Sequence, residues 1–433
     1  MRRHYPEQPD FDMNCIPGSG IRLISIFVFG FLALHVAPSA QEIAEPKRVY
    51  GADYLITPDI SKAGAFVELR ISQRDGLLRE LSMPYDETAL SDINGDGQIS
   101  LEDGQIRWLP PTDGGRLRWF ARINHLRDNG SYDAFIGETW ALFRAEDVIP
   151  PTATRTLRRA VSKTRLMFDL PDGWSAVTEY FKRSNVFNIS NPDRRFDRPT
   201  GWIVLGKLGV RHETVAGVRV VVAAPVGHNV RRLDILAMLN WILPDLVRLF
   251  PSFPHRLTII SAGEPMWRGG LSAPRSFYIH ADRPLISENG TSTIMHEAIH
   301  LGLSVDAVTG ADWIIEGLAE YYGLEILRRS GTISEKRYRF ARSELATWGK
   351  RVKTLCTDPS TGAVTARAVT LFARLNDEIS KRTARKYDLD DVVRKVASFQ
   401  GKISVQQLRV MVADLTGSES EILSDKDLNN CEN

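Results

Sequence analysis

Hydrophobic and polar positions alternate with a two-residue period over much of the first half of the chain. Residues 65–72 (AFVELRIS) and 116–125 (RLRWFARINH) show this alternation, and residues 164–174 end in a Pro-Asp-Gly turn. Residues 217–225 (GVRVVVAAP) are more continuously apolar. Short strands divided by Gly, Pro and Asp turns predict a β-rich, sandwich-like domain over residues 45–226.

After Gly227 the apolar positions recur at the spacing of an α-helix. Residues 230–250 predict a helix with Pro244 as a kink, and residues 256–261 and 276–281 predict strands. Beyond Arg329 the pattern predicts helices at 334–355, 363–382, 389–398 and 405–415. The predicted fold class is therefore multidomain α+β, in which a central α/β domain (227–330) and a helical domain (331–433) follow the β-rich domain.

The N-terminal 40 residues have a different character. Arg2 and Arg3 precede an apolar run at 23–37 (LISIFVFGFLALHVA), and small residues follow it. This order is typical of a secretory signal peptide over residues 1–40, which predicts an exported protein, either periplasmic or secreted. The run is shorter than the roughly 20 residues that span a bilayer. The alternative is a retained N-terminal membrane anchor.

Charge and cysteines narrow the picture further. The 433 residues have a formal net charge of +2, whereas nucleic-acid binders have a strong basic surplus, so we expect no nucleic-acid partner. Of the three cysteines, Cys15 lies in the expected signal peptide. Cys356 and Cys431 are disulfide candidates in an oxidising compartment, and two unpaired thiols are the alternative.

Residues 294–323 (IMHEAIHLGLSVDAVTGADWIIEGLAEYYG) contain the candidate chemistry. His296 and His300 are four residues apart, which places both imidazoles on one face of a helix and within reach of one metal ion. Glu297 follows the first histidine, where a carboxylate can accept a proton from metal-bound water. For this pentapeptide alone, a buried helix with two hydrogen-bonded histidines is the alternative.

A second predicted helix strengthens the metal hypothesis. Gly310 and Asp312 separate it from the first, and Glu316 and Glu320 fall on one face of an otherwise apolar sequence. Buried carboxylates need a cation or a hydrogen-bond donor. Two histidines and one glutamate, with the fourth position left to water, are a common catalytic zinc arrangement, so the sequence predicts a Zn2+ cofactor.

HEAIH followed by WIIEGLAEY resembles the gluzincin metallopeptidases, in the branch that holds the aminopeptidase N-like enzymes and glycyl aminopeptidases. The resemblance covers roughly residues 166–415 and is strong only near the zinc motif. It implies a thermolysin-like catalytic domain that hydrolyses a peptide or protein substrate. It also implies that His296, His300 and Glu316 bind zinc. Glu297 would be the general base, and Glu320 would orient a ligand histidine.

The chain departs from this family at two points. Aminopeptidase N-like enzymes have a Gly-x-Met-Glu-Asn loop whose glutamate holds the free amine of the substrate, whereas residues 269–273 are GGLSA. The family's oxyanion-stabilising tyrosine corresponds to Thr365, which leaves His280, Tyr278 and Tyr338 as alternative donors. We expect residues 276–281 to form the edge strand that pairs with an extended substrate.

These departures favour an endopeptidase or a specialised peptidase over an aminopeptidase. A zinc-retaining, catalytically weak binding or scaffold protein of the cell envelope is the alternative. A third hypothesis is a calcium-stabilised envelope interaction module in which the HEAIH motif is accidental.

Residues 92–103 (DINGDGQISLED) suggest a second metal ion. They fit a calcium loop that resembles the dockerin-type EF-hand, with Gly97 at the sharp turn. An acidic turn without metal is the alternative. The expected Ca2+ ligands are Asp92, Asn94, Asp96, Gln98 and Asp103.

Overall fold

The structure, a computed structural model, describes residues 48–191, 196–424 and 428. All of them belong to one compact unit, Lys47–Asn433. The signal peptide expected over residues 1–40 and Cys431 lie outside the described residues. Within the described part of the chain, no helix is both long enough and apolar enough to cross a membrane.

The first half consists mainly of strands, as its alternating pattern predicts. Burial alternates along the central strands because successive side chains point to opposite faces of a sheet. The elements of this half are β1 (Arg48–Asp59), β2 (Gly64–Ser72), β3 (Leu78–Pro84), β4 (Leu90–Gly95), β5 (Gln98–Glu102), β6 (Gln105–Leu109), β7 (Gly114–Arg122), β8 (His125–Leu126), β9 (Tyr132–Ile136), β10 (Trp140–Arg144), α1 (Ala145–Val148), β11 (Ala153–Thr156), β12 (Ala160–Phe168), β13 (Ser175–Val177), β14 (Phe181–Arg183), β15 (Val186–Ile189) and β16 (Trp202–Gly206).

These strands form three sheets. The largest has seven strands in the order β14-β15-β12-β1-β2-β7-β4. A five-stranded sheet has the order β13-β16-β10-β9-β8, and a four-stranded sheet has the order β11-β3-β6-β5. Their inward faces share one hydrophobic core, in which Trp108 and Trp119 are fully buried.

The second half combines strands and helices. Its elements are β17 (Leu208–Val215), β18 (Val218–Pro225), α2 (Arg232–Leu249), β19 (Arg256–Ala262), β20 (Gly270–Ala273), β21 (Ser276–His280), α3 (Thr293–Leu303), β22 (Asp306–Ala307), α4 (Asp312–Arg329), α5 (Glu335–Gly349), α6 (Ala363–Arg382), α7 (Leu389–Ala397), β23 (Lys402–Ile403) and α8 (Val405–Thr416). One hydrophobic core extends from Val215 to Leu428, so these helices pack together with the sheet.

The central sheet of this half has the strand order β17-β18-β19-β21-β20. Strands β18, β19 and β21 are parallel to one another, and β20 joins β21 as an antiparallel hairpin partner. The expectation that residues 276–281 form the edge strand is wrong, because β21 lies between β19 and β20. The hairpin instead places β20, with the sequence GLSA, at the sheet edge.

The expected calcium loop is not supported. Most of residues 92–103 belong to β4 and β5, which lie in different sheets. Strand β4 pairs with β7 in the seven-stranded sheet, and β5 pairs with β6 in the four-stranded sheet. Gly97 has a positive φ of 82° at the turn between them, and a Cβ there would lie 2.4 Å from the Leu109 carbonyl oxygen. Strand pairing therefore explains this glycine without a metal.

The three aspartates among the expected calcium ligands do not form a converging group. The Asp96 carboxylate accepts a hydrogen bond from the Arg116 backbone at 2.9 Å, and the Asn94 amide donates to the Asp92 carbonyl at 2.8 Å. Across residues 48–191, 196–424 and 428, no group of three His, Cys, Asp or Glu side chains with converging atoms includes one from this loop. The five expected ligands left without support are Asp92, Asn94, Asp96, Gln98 and Asp103.

The expected disulfide falls partly within the structure. Cys356 is disulfide-bonded and lies between α5 and α6. Its expected partner, Cys431, lies outside the described residues, so the pairing stays a prediction.

Candidate metal centre

Helix α3 presents both histidines of the HEAIH motif. It begins after Ser292, whose side chain accepts a hydrogen bond from the Met295 backbone and so caps the helix. Its apolar residues, including Ile294 and Ile299, are buried in the core. His296 and His300 lie one turn apart, with their side chains 22% and 15% exposed at the wall of a cavity.

Helix α4 supplies the carboxylates. Gly310 has a φ of 82° just before it, and its N–H donates to the Asp358 carboxylate at 2.6 Å, which fixes where the helix begins. The surrounding helix is almost wholly buried, as its apolar sequence predicts. Glu316 and Glu320, one turn apart, face α3, because α3 and α4 pack against each other.

Three ligand atoms converge between the two helices. His296 Nε2 lies 3.0 Å from His300 Nε2 and 3.2 Å from Glu316 Oε2, and His300 Nε2 lies 3.4 Å from Glu316 Oε1. In a tetrahedral zinc site with bonds of 2.0–2.1 Å, neighbouring ligand atoms lie about 3.3 Å apart. The three side chains could therefore hold one zinc ion at the wall of the cavity that they line.

The second carboxylate of α4, Glu320, contacts the first histidine. Glu320 Oε2 lies 3.3 Å from His296 Nδ1, on the opposite side of the ring from the converging atoms. A contact of this kind fixes the ring orientation and the tautomer of a ligand histidine. The structure places Glu320 within reach of His296, and its role in orienting the ring stays a prediction.

The electrostatics of the site favour a cation. Burial opposes the charged form of His296, but hydrogen bonds to Glu316 and Glu320 raise the pKa of His296 well above its usual value. Burial and the neighbouring His296 lower the pKa of His300 to about 4. Two carboxylates thus lie beside two imidazoles, of which only one takes up the positive charge. Histidine nitrogens and carboxylate oxygens are donors that zinc binds.

Glu297, the residue after the first histidine, is largely buried beside the converging ligand atoms. Its side chain is directed towards β20, and the residue is only 6% exposed. Burial raises the pKa of Glu297 to about 7, against the opposing influence of His296. A carboxylate with a pKa near neutrality is suited to accept and return a proton at physiological pH.

A cavity of about 1380 Å³ opens over these residues. Strand β20 forms one wall, and residues 359–361 and the segment after α3 form others. The volume exceeds the roughly 300–1,000 Å³ of a typical small-molecule site, so a peptide segment fits better than a single small ligand.

The alternative oxyanion donors named from the sequence do not reach this cavity. Thr365 lies in the first turn of α6, where its hydroxyl donates to the Ser360 carbonyl at 3.1 Å. Tyr278 donates to the Trp267 carbonyl, and Tyr338 accepts from Arg342. His280 is 1% exposed and lies outside the cavity wall. Of the described residues that line the cavity, none is a tyrosine.

The sequence analysis missed the hydroxyl side chains that line the cavity, among them Ser272, Ser360 and Thr361. Ser272 lies on β20, and Ser360 and Thr361 lie on the segment before α6, where Asp312 accepts from the Ser360 N–H at 2.7 Å. No local pattern marks them, because they reach the cavity only through strand order and helix packing. The one available signal for Ser272 was its place in the GGLSA segment.

A second group of metal-ligating side chains is already neutralised. Glu264, His280 and Asp282 converge near the end of β21. Arg268 bonds Glu264 at 2.6 Å and lies 3.6 Å from Asp282, so a guanidinium supplies the positive charge there. The zinc hypothesis therefore concerns the first group alone.

Comparisons with known proteins show the fold. No protein-family model and no curated protein matches the sequence. An aminopeptidase N family protein from Idiomarina loihiensis superposes with a TM-score of 0.62 at 14% identity, covering 86% of this chain and 78% of that one. Yeast LTA4 hydrolase superposes with TM-scores of 0.53 in its native form and 0.52 with bestatin, at 14% and 15% identity. Both cover 88% of this chain and 66% of that one. The β-rich N-terminal and helical C-terminal regions therefore form an aminopeptidase-like fold.

Proposed function

We propose that this protein is a zinc-dependent peptidase. The observation that supports it most directly is the convergence of His296, His300 and Glu316, whose ligand atoms are spaced as in a tetrahedral zinc site. The cavity above them and the fold shared with an aminopeptidase N family protein agree with this proposal.

Zinc bound by these three side chains would polarise the scissile carbonyl and lower the pKa of an attacking water. Glu297 would accept the proton of that water and return it to the leaving amine. Glu320 would hold the His296 ring in its ligand orientation. The outer edge of β20 would pair with the backbone of an extended substrate.

We further propose that the substrate bond is internal to a peptide or protein chain. The GGLSA segment on and before β20 contains no carboxylate that could hold a free amine. This segment therefore lacks the glutamate that would anchor a free amine, which favours cleavage of internal bonds. Export, by the signal peptide proposed at residues 1–40, would direct the enzyme to periplasmic or extracellular peptides, with no nucleic-acid partner.

A peptide-library digest tests this function. The purified chain should cleave internal bonds, lose activity with a zinc chelator and regain it on adding Zn2+. Glu297→Gln should bind zinc normally but lower kcat by at least 100-fold, the lower range for general-base loss. Glu288→Gln, which changes an exposed glutamate outside the cavity, is the matched control and should have wild-type activity. Activity that survives Glu297→Gln would refute its role.

A zinc-retaining binding or scaffold protein is the second candidate. It is favoured by the tyrosine-free lining of the cavity among the described residues. One equivalent of bound zinc together with no hydrolysis across a broad library would select this candidate. The third hypothesis, with an accidental HEAIH motif, would require that the purified protein bind no zinc.

A further inference from the structure

We infer that Asp312 and Asp358 are positioning residues that hold one wall of the cavity, residues 359–361, against the helix that carries Glu316. They fix the width of the cavity and so limit the size of the substrate side chain that fits beside this wall. The consequence for substrate selection rests on the proposed function, whereas the hydrogen bonds that hold the wall belong to the fold.

Two reciprocal hydrogen bonds join the start of α4 to the segment before α6. The Asp358 carboxylate accepts from the Gly310 N–H at 2.6 Å, and the Asp312 carboxylate accepts from the Ser360 N–H at 2.7 Å. Each segment therefore supplies one carboxylate and one backbone donor, and we call this pair of bonds the clamp. Hydrogen bonds to a charged acceptor are stronger than neutral ones, so the clamp keeps the two segments at a fixed separation.

Asp312 connects the wall to the candidate metal centre. It precedes Glu316 by four residues, so both side chains lie on the same face of α4, and both line the cavity. Ser360, which is bonded to Asp312, forms the wall together with Pro359 and Thr361. The separation between this wall and the ligand carboxylate is therefore set at the start of α4.

Contacts with α5 and α6 restrain the same wall. The Thr365 hydroxyl, in the first turn of α6, donates to the Ser360 carbonyl at 3.1 Å. Gly362 has a φ of 58°, and a Cβ there would lie 3.2 Å from the Trp348 ring of α5. Residues 359–361 belong to no strand or helix, so their position depends on these contacts and on the clamp.

Apolar side chains of the two ligand-bearing helices line the same cavity. Leu301 of α3 and Ile315 of α4 are both largely buried, and Val305 follows α3. An apolar substrate side chain therefore has a surface against which it can be buried. A fixed wall discriminates among such side chains by their volume, because the space beside it cannot expand.

Steady-state kinetics on quenched peptides test this selection. The peptides differ only beside the cleaved bond, where they carry alanine, leucine, phenylalanine or tryptophan. Asp312→Ala and Asp358→Ala should each lower the ratio of kcat/KM for the best-cleaved peptide to that for the next larger one. The expected loss is about tenfold, the size for one bond to a charged group. A smaller folded fraction would lower both rates equally and leave this ratio unchanged.

Three further variants separate the clamp from other effects. Asp312→Asn keeps an oxygen that accepts the Ser360 N–H but removes the charge, so it should retain about half or more of the wild-type ratio. Asp358 is not among the described residues that line the cavity, so an effect of Asp358→Ala acts through the segment. The double variant Asp312→Ala/Asp358→Ala should lose little more than either single variant, because each releases the same wall. Asp86→Ala removes a carboxylate that accepts the Thr88 N–H at 2.8 Å outside the cavity and should leave the ratio unchanged.

Hydrogen–deuterium exchange of the metal-free protein tests the clamp itself. In Asp358→Ala the peptide that contains Gly310 should exchange about tenfold faster, since its amide loses its acceptor. The peptide that contains Ser360 should also exchange faster, because both bonds hold the same two segments. Asp312→Ala should give the converse result, and Asp86→Ala should leave both peptides unchanged.

The inference is overturned if either alanine variant keeps the wild-type ratio, or if Asp312→Asn loses as much as Asp312→Ala. It is also overturned if the wild type cleaves the tryptophan peptide best, since the wall would then set no size limit. Exchange that rises only in the segment whose acceptor is removed would show that the two bonds do not act together. If the wild type cleaves no peptide, the proposed function fails, and the exchange data still decide whether Asp312 and Asp358 hold the wall.

Discussion

At the scale of single residues, the site depends on carboxylates that orient imidazoles. Glu316 contacts both histidines, whereas Glu320 contacts only the far nitrogen of His296. Removing a ligand and removing its orienting partner should therefore have different effects. The first abolishes the site, and the second loosens it.

Glu320→Gln should weaken zinc binding by about 10- to 100-fold, because its amide is a poorer acceptor for His296 than a carboxylate. Competition with a chromophoric chelator measures the affinity. Glu288→Gln should bind zinc as wild type does. Unchanged affinity in Glu320→Gln would show that the 3.3 Å contact does not support the ligand.

Zinc uptake should weaken as the pH falls. Hydrogen bonds to carboxylates raise the pKa of His296 despite its burial. The metal-free protein therefore favours the charged imidazolium form of this ring, with a proton on each nitrogen. Zinc must displace one of these protons, so the apparent Kd should increase about tenfold for each pH unit lost below that pKa. Calorimetry in two buffers of different protonation enthalpy should detect about one proton released per zinc. An affinity that does not change between pH 7 and pH 6 would contradict this assignment.

At the scale of elements, close helix packing places the zinc ligands. Gly317, next to the ligand Glu316, lets α4 approach α6, and a Cβ there would lie 2.5 Å from the Ala368 Cβ and 2.9 Å from the Phe372 ring. Gly323, on the same helix, has 3.8 Å of clearance to Met295. The packing therefore requires glycine at 317, whereas there is room for a larger side chain at 323.

Gly317→Ala should destabilise the protein by about 2 kcal/mol through overpacking and should also displace α4 enough to reduce activity. Gly323→Ala is the matched control and should be neutral or stabilising by up to about 1 kcal/mol, since alanine is the better helix former. Chemical denaturation measures both. Equal effects at the two positions would show that the α4–α6 contact is not tight at Gly317.

At the scale of the whole molecule, a buried ion pair joins the N-terminal β region to the central sheet. Glu179, whose side chain is 0% exposed, pairs with Arg275, which follows β20. The Thr200 hydroxyl bonds the same carboxylate at 2.8 Å, and Arg275 also donates to the Asn191 side chain at 2.9 Å. This network fixes the hairpin of β20 and β21 at the cavity wall.

Arg275→Met should destabilise the fold by about 3 kcal/mol at neutral pH, the lower end for removing one partner of a buried pair. Burial raises the pKa of Glu179, and Arg275 opposes that shift. A raised pKa means that the folded state favours the protonated Glu179 carboxyl. The stability that this protonation contributes is lost as the pH increases through the pKa of Glu179 in the folded state. The variant's deficit should therefore be smallest near pH 4.5 and grow towards neutrality.

The double variant Glu179→Gln/Arg275→Met should recover much of the loss, because it leaves no buried charge unpaired. Denaturant unfolding at pH 4.5 and pH 7, with the disulfide intact, gives both comparisons. A deficit independent of pH, or a double variant less stable than Arg275→Met, would contradict the pairing argument.

Many of the elements and the spacing of the candidate ligands could be predicted from local patterns in the chain. A two-residue period forces alternate burial in strands, and a four-residue spacing places His296 and His300 on one helix face in any helix. The helix over Ala363–Arg382 was predicted at the same boundaries as observed, because its apolar positions have a clear helical period. Glu316 and Glu320 followed from their place on an apolar helix.

Which segments lie next to each other depends on how the elements pack in three dimensions. The register and strand order moved the sheet edge from 276–281 to β20, and strand pairing left the acidic ligands of 92–103 apart. The close approach of β20 to Glu297 brings together segments that are far apart in sequence and depends on Gly270, where a Cβ would lie 2.8 Å from Glu297 Oε1. Local spacing fixes geometry within one element, whereas contacts between elements depend on packing that no short pattern records.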